Sequence, residues 1–276
     1  MVRRSPEQFG HAQSRWTLAA IRESIRWMNG LTLSGVYRIL KRLGIRYKRG
    51  RLYVHSPDPA YESKRSRIAL KCLEVQYQPK RSVLLYVDEL TYYGQPSVAK
   101  DYEARGHAMP LARLGYRMSG YRRVIGALNA HTGQVTYWHR PKIGVEEWVG
   151  FLHELMQFYS SAEVLYIVLD NNPMHYHPTV MSHIKPQCFP WQDVLPPSWP
   201  KEVTPGSWPI EFLPLPTYAS WLNPIEKLWR WLKQRVLHLH RYADDWPALQ
   251  AHVDAFLDQF AHGSEALLHY VGLSPY

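Results

Sequence analysis

The chain has 276 residues, 46% of them hydrophobic and 20% charged, which excludes a disordered protein and is enough for one large domain with a smaller partner. No apolar run approaches membrane-spanning length and no leader-like segment opens the chain, so the expectation is a soluble cytoplasmic protein. Net charge is +10 and end-loaded: residues 1–81 hold 18 Lys and Arg against 5 Asp and Glu, the remainder 15 against 18. That asymmetry is the footprint of a polyanion such as nucleic acid. Cys72 and Cys188 stand far apart and form no CxxC, so neither a zinc knuckle nor a disulfide framework is expected.

Residues 1–15 show no clear periodicity. From Trp16 the pattern turns helical, with Leu18, Ile21, Ile25 and Met28 on one face and Asn29-Gly30 as a stop. Ser34 is placed to cap a second helix with Val36, Ile39, Leu40 and Leu43 inside and Arg38, Lys41 and Arg42 outside; Gly44 closes it. Two short helices with a tight turn, the second one basic, read as a helix-turn-helix. Lys48, Arg49, Gly50 and Arg51 then form a plausible hairpin tip, which makes the unit winged. Ser56-Pro57-Asp58-Pro59 marks a boundary. The chain is therefore read as a DNA-binding domain over 1–57, a basic linker helix over 58–81 and a second domain over 82–276.

Residues 82–89 form a continuous apolar run ending in Asp88 and Glu89, the pattern of a buried strand. A hairpin follows, with strands over 124–128 and 135–139 and a turn at His131-Thr132-Gly133. Residues 144–159 are helical, with Trp148, Phe151, Leu152 and Leu155 aligned. Residues 163–169 form another buried strand, ending in Asp170-Asn171-Asn172-Pro173. Residues 178–209 hold eight prolines and Trp191, Trp199 and Trp208, too proline-rich for regular elements. A short strand over 212–215 leads into an amphipathic helix, with Leu222, Ile225, Leu228 or Trp229, Leu232 and Val236 as its stripe. A final helix spans about 246–260, with Leu249, Val253, Phe256, Leu257 and Phe260 buried.

Three acids stand out. Asp88 and Asp170 each end a strand, and adjacent strands with acids at matching ends bring two carboxylates together. Glu226, in the first turn of a helix packed across the sheet, adds a third. Three hard oxygen ligands suit Mg²⁺ or Mn²⁺, and two such ions promote phosphodiester displacement. Read alone, Asn223-Pro224-Ile225-Glu226 is also a sound capping arrangement.

The residues now support a specific resemblance. Asp88-Glu89, the GALNAHTG hairpin at 126–133, VLDNNPMH at 168–175 and LPTYASWLNPIEKLWRWLK at 215–233 resemble the motifs of the insertion-sequence-630 group of mariner-superfamily DDE transposases. The similarity covers nearly all of 16–260. It implies an α/β, ribonuclease H-like catalytic domain, a mixed sheet flanked by helices, behind a small winged helix-turn-helix. It also implies metal-dependent strand cleavage and transfer, with Asp88, Asp170 and Glu226 as catalytic metal ligands and two Mg²⁺ or Mn²⁺ ions. The partners implied are double-stranded DNA at element ends and target, and a second copy of the chain to pair two ends; the location implied is the bacterial nucleoid. The Asp170–Glu226 gap is longer than the family pattern because of the 178–209 insertion, read as a surface loop, with an assembly element as the alternative. The N-terminus is shorter than the family pattern. A silent transposase-derived regulator and an endonuclease without joining are the alternative activities.

Supporting roles fall to Glu89, Asn171, His175 and Asn223. Glu89 reads as a second-line or surface acid, Asn171 as turn-closing, and His175 as either core packing or a phosphate-positioning group. Arg230 and Lys233 are read as the DNA side of their helix, with a plain solvated face as the alternative. The His175/His177 and His238/His240 pairs lack the further ligands of a zinc site.

Overall fold

Residues 3–48, 55–116, 120–184 and 208–273 are described by a computed structural model. They belong to two compact units, Met1–Val54 and His55–Tyr276. In the first unit the Thr17 hydroxyl accepts from Ala20 N at 3.1 Å and starts α1, Leu18–Ser24. The Ser24 hydroxyl donates back to Ala20 O at 2.7 Å, and Ile25 is extended. Local bonding of this kind competes with the helical ladder. The single helix expected over 16–28 therefore breaks, and Arg26–Met28 forms a separate 3-10 turn. The second helix, α2 (Leu33–Arg42), is capped by Thr32, not Ser34, through Gly35 N at 3.1 Å. Gly44, at φ +72, lets Ile45 N return to Leu40 O at 2.8 Å. Ile21, Met28, Val36 and Leu40 form the centre of this unit. Leu43, expected inside, is exposed because α2 ends one residue before it. Residues 45–48 have no regular structure. The rest of the expected wing, with Arg49 and Arg51, lies outside the described residues.

The second unit is built on one sheet of five strands: β1 (Ser82–Tyr93), β2 (Tyr121–Asn129), β3 (Val135–Arg140), β4 (Val164–Leu169) and β5 (Ile210–Pro214). Their order is β3-β2-β1-β4-β5. The first three are antiparallel neighbours, while β4 and β5 run parallel to β1. Side-chain alternation divides the core in two. Val83, Leu85 and Val87 pack with α4 (Val145–Phe158) and α5 (Pro178–Met181). Leu84, Tyr86 and Leu90 pack with α3 (Tyr61–Tyr77), α6 (Ile225–Leu232), α7 (Trp246–Asp258) and α8 (Glu265–Val271). Apolar residues on both faces are what a strand covered on both sides requires. A mixed sheet in this order between helical layers is the ribonuclease H-like fold.

Several elements differ from the expectations. β1 continues four residues past Glu89. Its ladder with β4 stops at Tyr86–Val168, while its ladder with β2 runs on to Tyr93–Tyr121. Asp88 thus sits inside a strand, just where that strand loses one neighbour. The helix read as a linker, α3, docks on the sheet: Ile68 and Val75 enter the core, and Arg67 pairs with Glu211 at 2.7 Å. Within the proline-rich stretch α5 forms after all, with the His177 side chain accepting from Thr179 N and Pro178 at the first position. Ile184 bridges to Trp208, and Trp208 N donates to His183 O at 3.0 Å, so the described ends of the insertion meet. Residues 185–207, with Cys188, Trp191 and Trp199, lie outside the described residues. Past α6 the chain makes a π turn, Lys233–Leu237. The sequence pattern did not reveal α8, whose seven residues are too few for a clear period. Among the described residues no helix is long and apolar enough to cross a membrane.

Candidate active site

On β1, alternation turns Asp88 toward the face covered by α6 and Glu89 toward the face covered by α4. Tyr86 lies level with Val168 on β4. Continuing that parallel register two residues sets Asp88 level with Asp170. Across the other ladder Asp88 faces Gly126. Gly126 is where α6 closes on the sheet: a Cβ there would lie 2.6 Å from Trp229 Cη2. The Trp229 indole Nε1–H donates to Asp88 Oδ2 at 3.0 Å. Glu226 is one turn before Trp229 on the same helix face. Burial, then the negative charges of Glu226, Glu89 and Asp170, push the Asp88 carboxyl up to about 8. A carboxyl raised by burial and by neighbouring acids is one whose charged form those acids repel.

His175 joins two of these acids. It is 2% exposed, with Nε2 2.9 Å from Glu89 Oε1 and Nδ1 3.1 Å from Asp170 Oδ1. The second contact is an ion pair, not an aligned hydrogen bond. Burial lowers the pKa of His175, but the two acids outweigh it and hold the value at about 9. Burial also pushes Asp170 up, while His175 and the Asn172 amide, at 3.0 Å, hold it below the ordinary range. The ring packs on Trp148, centroids 4.8 Å apart. Packing and positioning are therefore combined in His175, and what it positions is a pair of carboxylates.

The two asparagines act as bolts. Asn171 Nδ2 donates to Leu215 O at 2.9 Å and ties the end of β4 to the end of β5, so it does more than close a turn. Asn223 is extended and Pro224 already helical, as the sequence pattern requires. Yet the Asn223 side chain does not cap α6. Its Nδ2 donates instead to Val87 O at 3.2 Å, next to Asp88. Among the described residues the Glu226 carboxylate has no hydrogen-bond or ion-pair partner, so the capping box is not formed and its oxygens stay available.

Arg230 and Lys233 are exposed, one on α6 and one at the start of the π turn. In the first unit Arg38, Lys41, Arg42 and Lys48 are all exposed. Among the described residues no three His, Cys, Asp or Glu side chains form a ready cation cage. The donor set nevertheless suits a hard divalent cation, whose charge would relieve the repulsion felt at Asp88. The other histidines have local work: His177 caps α5, His238 Nδ1 contacts Ser97 Oγ at 2.7 Å, and His240 is buried and accepts from Tyr242 N at 3.2 Å. Two residues of the site escaped sequence reasoning. Trp229 was assigned only to the apolar stripe. Gly126 did carry a signal, since a lone glycine within a strand marks close backbone approach.

The chain is similar to known proteins in sequence and in fold. Residues 83–250 match the family model described as a DDE superfamily endonuclease, and residues 12–61 match one described as a winged helix-turn helix. The "Insertion element IS630 uncharacterized 39 kDa protein" of Shigella sonnei is 23% identical over 252 residues, covering 91% of this chain and 66% of the relative. The chain thus spans just under two thirds of that relative. Two solved structures share the fold: "Crystal structure of the Mos1 mariner paired end complex with Mn", TM-score 0.60, 15% identity, covering 97% of this chain and 73% of the other; and "Mos1 transposase paired-end complex with left transposon end", TM-score 0.60, 16% identity, covering 98% and 75%. The endonuclease model alone spans more than half of the sequence and takes in Asp88, Asp170 and Glu226: the chain belongs to the DDE superfamily endonuclease family.

Proposed function

We propose that the chain is a DNA transposase. Its first unit binds the ends of a mobile element through Arg38, Lys41, Arg42 and Lys48, and its second unit cuts and joins DNA strands. The observation that carries this reading is the register that sets Asp88 level with Asp170 at the edge of the β1–β4 ladder, with α6, the helix of Glu226, tied to Asp88 through Trp229. Asp88, Asp170 and Glu226 would hold two divalent cations, Mg²⁺ or Mn²⁺, which when bound supply Lewis acidity at the phosphodiester.

The protein's own groups set the geometry. Trp229 fixes one oxygen of Asp88. His175 holds Asp170 and Glu89 at a common distance. Asn171 and Asn223 tie the backbone beside each aspartate to the segment that leads into α6. Arg230 and Lys233 offer cationic contacts to the phosphates on either side. In the first step a water oxygen bonds to phosphorus, the P–O bond to the 3′ oxygen breaks, and that oxygen leaves with a proton. In the second, the freed 3′-hydroxyl attacks a target phosphodiester and a target 3′-hydroxyl departs. One P–O bond forms and one breaks in each step. Pairing two ends calls for two copies of the chain, acting at the nucleoid.

The test uses the full chain, Mg²⁺ and duplexes carrying the inverted repeat that bounds its reading frame. The expected products are a strand cut at the repeat end and a joined species with target DNA. Asp170→Asn is expected to bind the repeat as well as wild type and to cut at background level. Mg²⁺-dependent nicking by that variant sinks the site assignment. Cutting without joining by the wild type leaves an endonuclease, and binding without cutting leaves a regulator.

A further inference from the structure

The turn between β5 and α6 is held at both ends beside the two aspartates. Leu215 N donates to Leu169 O at 2.9 Å, and Asn171 donates to Leu215 O, so one end is fixed around Asp170. Asn223 fixes the other end to Val87, next to Asp88. The middle is clamped too. Ser56 Oγ donates to Thr217 O at 2.6 Å, Thr217 N donates to Asp58 Oδ2 at 2.9 Å, and Ala219 is buried. Between these clamped residues Tyr218 adopts φ +55, a left-handed conformation that a bulky L residue rarely takes. The residue is 76% exposed, and its ring has no aromatic or hydrogen-bonding partner among the described residues. Trp221, on the same turn, is 45% exposed.

Glycine would satisfy this backbone without strain. The turn instead presents a tyrosine to solvent, which leaves its ring open to a ligand. The residues around it, Thr217 and Ser220, are exposed and polar, and Trp221 adds a second exposed ring on the turn. A flat aromatic face on a rigid turn beside phosphodiester chemistry matches one ligand class. Nucleobases stack on such rings whatever their sequence. Lifting a base out of the duplex stack carries an energetic cost, and stacking on such a ring offsets part of it.

We propose that Tyr218 stacks on a nucleobase adjacent to the scissile phosphate and holds it out of the duplex while the strand is cut. This rests on the DNA-cutting reading above. The experiment uses the full chain and the same repeat duplexes, with 2-aminopurine placed in turn at each position flanking the cut. Four variants are compared with wild type: Tyr218→Phe, Tyr218→Trp, Tyr218→Ala and Tyr218→Gly. At one position binding of the wild type is expected to change the probe's emission from that of the free duplex, and the Ala and Gly variants to lose that change. Phe and Trp are expected to cut within about twofold of wild type, and Ala and Gly about tenfold or more slowly. The glycine variant separates the explanations. A purely conformational role predicts that it matches or exceeds wild type, because it removes the strain and keeps the turn. Wild-type cutting by Tyr218→Gly, or a probe signal that no substitution changes, overturns the stacking proposal and leaves the DNA-cutting reading intact. Loss of self-association in the Ala variant, with probe signals unchanged, overturns it in favour of a second copy of the chain as occupant. Absence of Mg²⁺-dependent cutting by the wild type overturns both.

Discussion

Gly126 and Trp229 show how little space the candidate site leaves. Trp229 is 1% exposed and its ring edge occupies the volume that a Gly126 side chain would need. The indole cannot swing aside, because its other face is packed in the core. Gly126→Ala is therefore expected to shift α6 and lower stability by about 1–3 kcal/mol, the usual range for overpacking. Denaturant melts check the stability. Trp229→Phe tests the hydrogen bond more cleanly. It keeps an aromatic ring in the core and removes the donor to Asp88, a hydrogen bond worth about 0.5–1.5 kcal/mol, together with part of the indole's packing. Strand cleavage is expected to fall about tenfold or more, with repeat binding unchanged; equal cleavage rates exclude a role for the indole in orienting Asp88. These dependencies explain what the sequence could reveal. Asp88 and Asp170 were legible because each follows a buried apolar run, a signal contained within eight residues. The Trp229–Asp88 bond spans 141 positions, and no local pattern encodes it. Asn223 misled for the same reason. Locally it is a good cap, but a backbone carbonyl 136 positions away takes its amide.

At the scale of elements, the first turn of α3 matters most, since it was read as part of a linker. Asp58 stands just before α3 and accepts from Ala60 N at 2.9 Å, Lys64 Nζ at 2.7 Å and Thr217 N at 2.9 Å. It thereby starts α3 and fixes the turn that leads to α6. Burial pushes this carboxyl up, but the Lys64 bond and the Thr217 and Ala60 amides outweigh it and hold the pKa at about 2, against an ordinary 3.8. A depressed carboxylate stabilises the fold fully above its unfolded pKa. That contribution is lost as pH falls through about 4 toward 2. Asp58→Asn is expected to lower stability at pH 7 by about 1–3 kcal/mol, since it leaves donors unmatched. It is also expected to flatten the loss of stability between pH 4 and 2. Thermal melts across that window check both effects, and an unchanged acid slope refutes the assignment to Asp58. The fold order of strands and main helices was legible because each carries its own periodicity. The docking of α3 was not, because its buried residues, Ile68 and Val75, are too few to mark a face in a helix dominated by charge.

For the whole molecule, the separation of charge predicts a separation of roles. The excess of cations lies before residue 82, while the rest of the chain carries a slight excess of acids. Binding to DNA should then draw its salt dependence mainly from the N-terminal cations, and the chemistry should not. Each phosphate contact adds about 0.9 to the slope of log affinity against log salt for duplex DNA. Replacing Arg38, Lys41 and Arg42 together by Ala should lower the slope for repeat binding by up to about three, if each side chain meets a phosphate. Cutting at saturating protein should stay close to wild type, because all three belong to the first unit and the acids Asp88, Asp170 and Glu226 to the second. The paired variant Arg230→Ala/Lys233→Ala should behave in the opposite way. These side chains are exposed on the segment that carries Glu226, so their loss should slow cutting at saturation more than it changes the salt slope of binding. Titrations at four or more salt concentrations, with single-turnover cleavage measured beside them, separate the two effects. If both sets of substitutions change slope and rate alike, the charge asymmetry does not divide recognition from catalysis, and both units grip the same stretch of DNA.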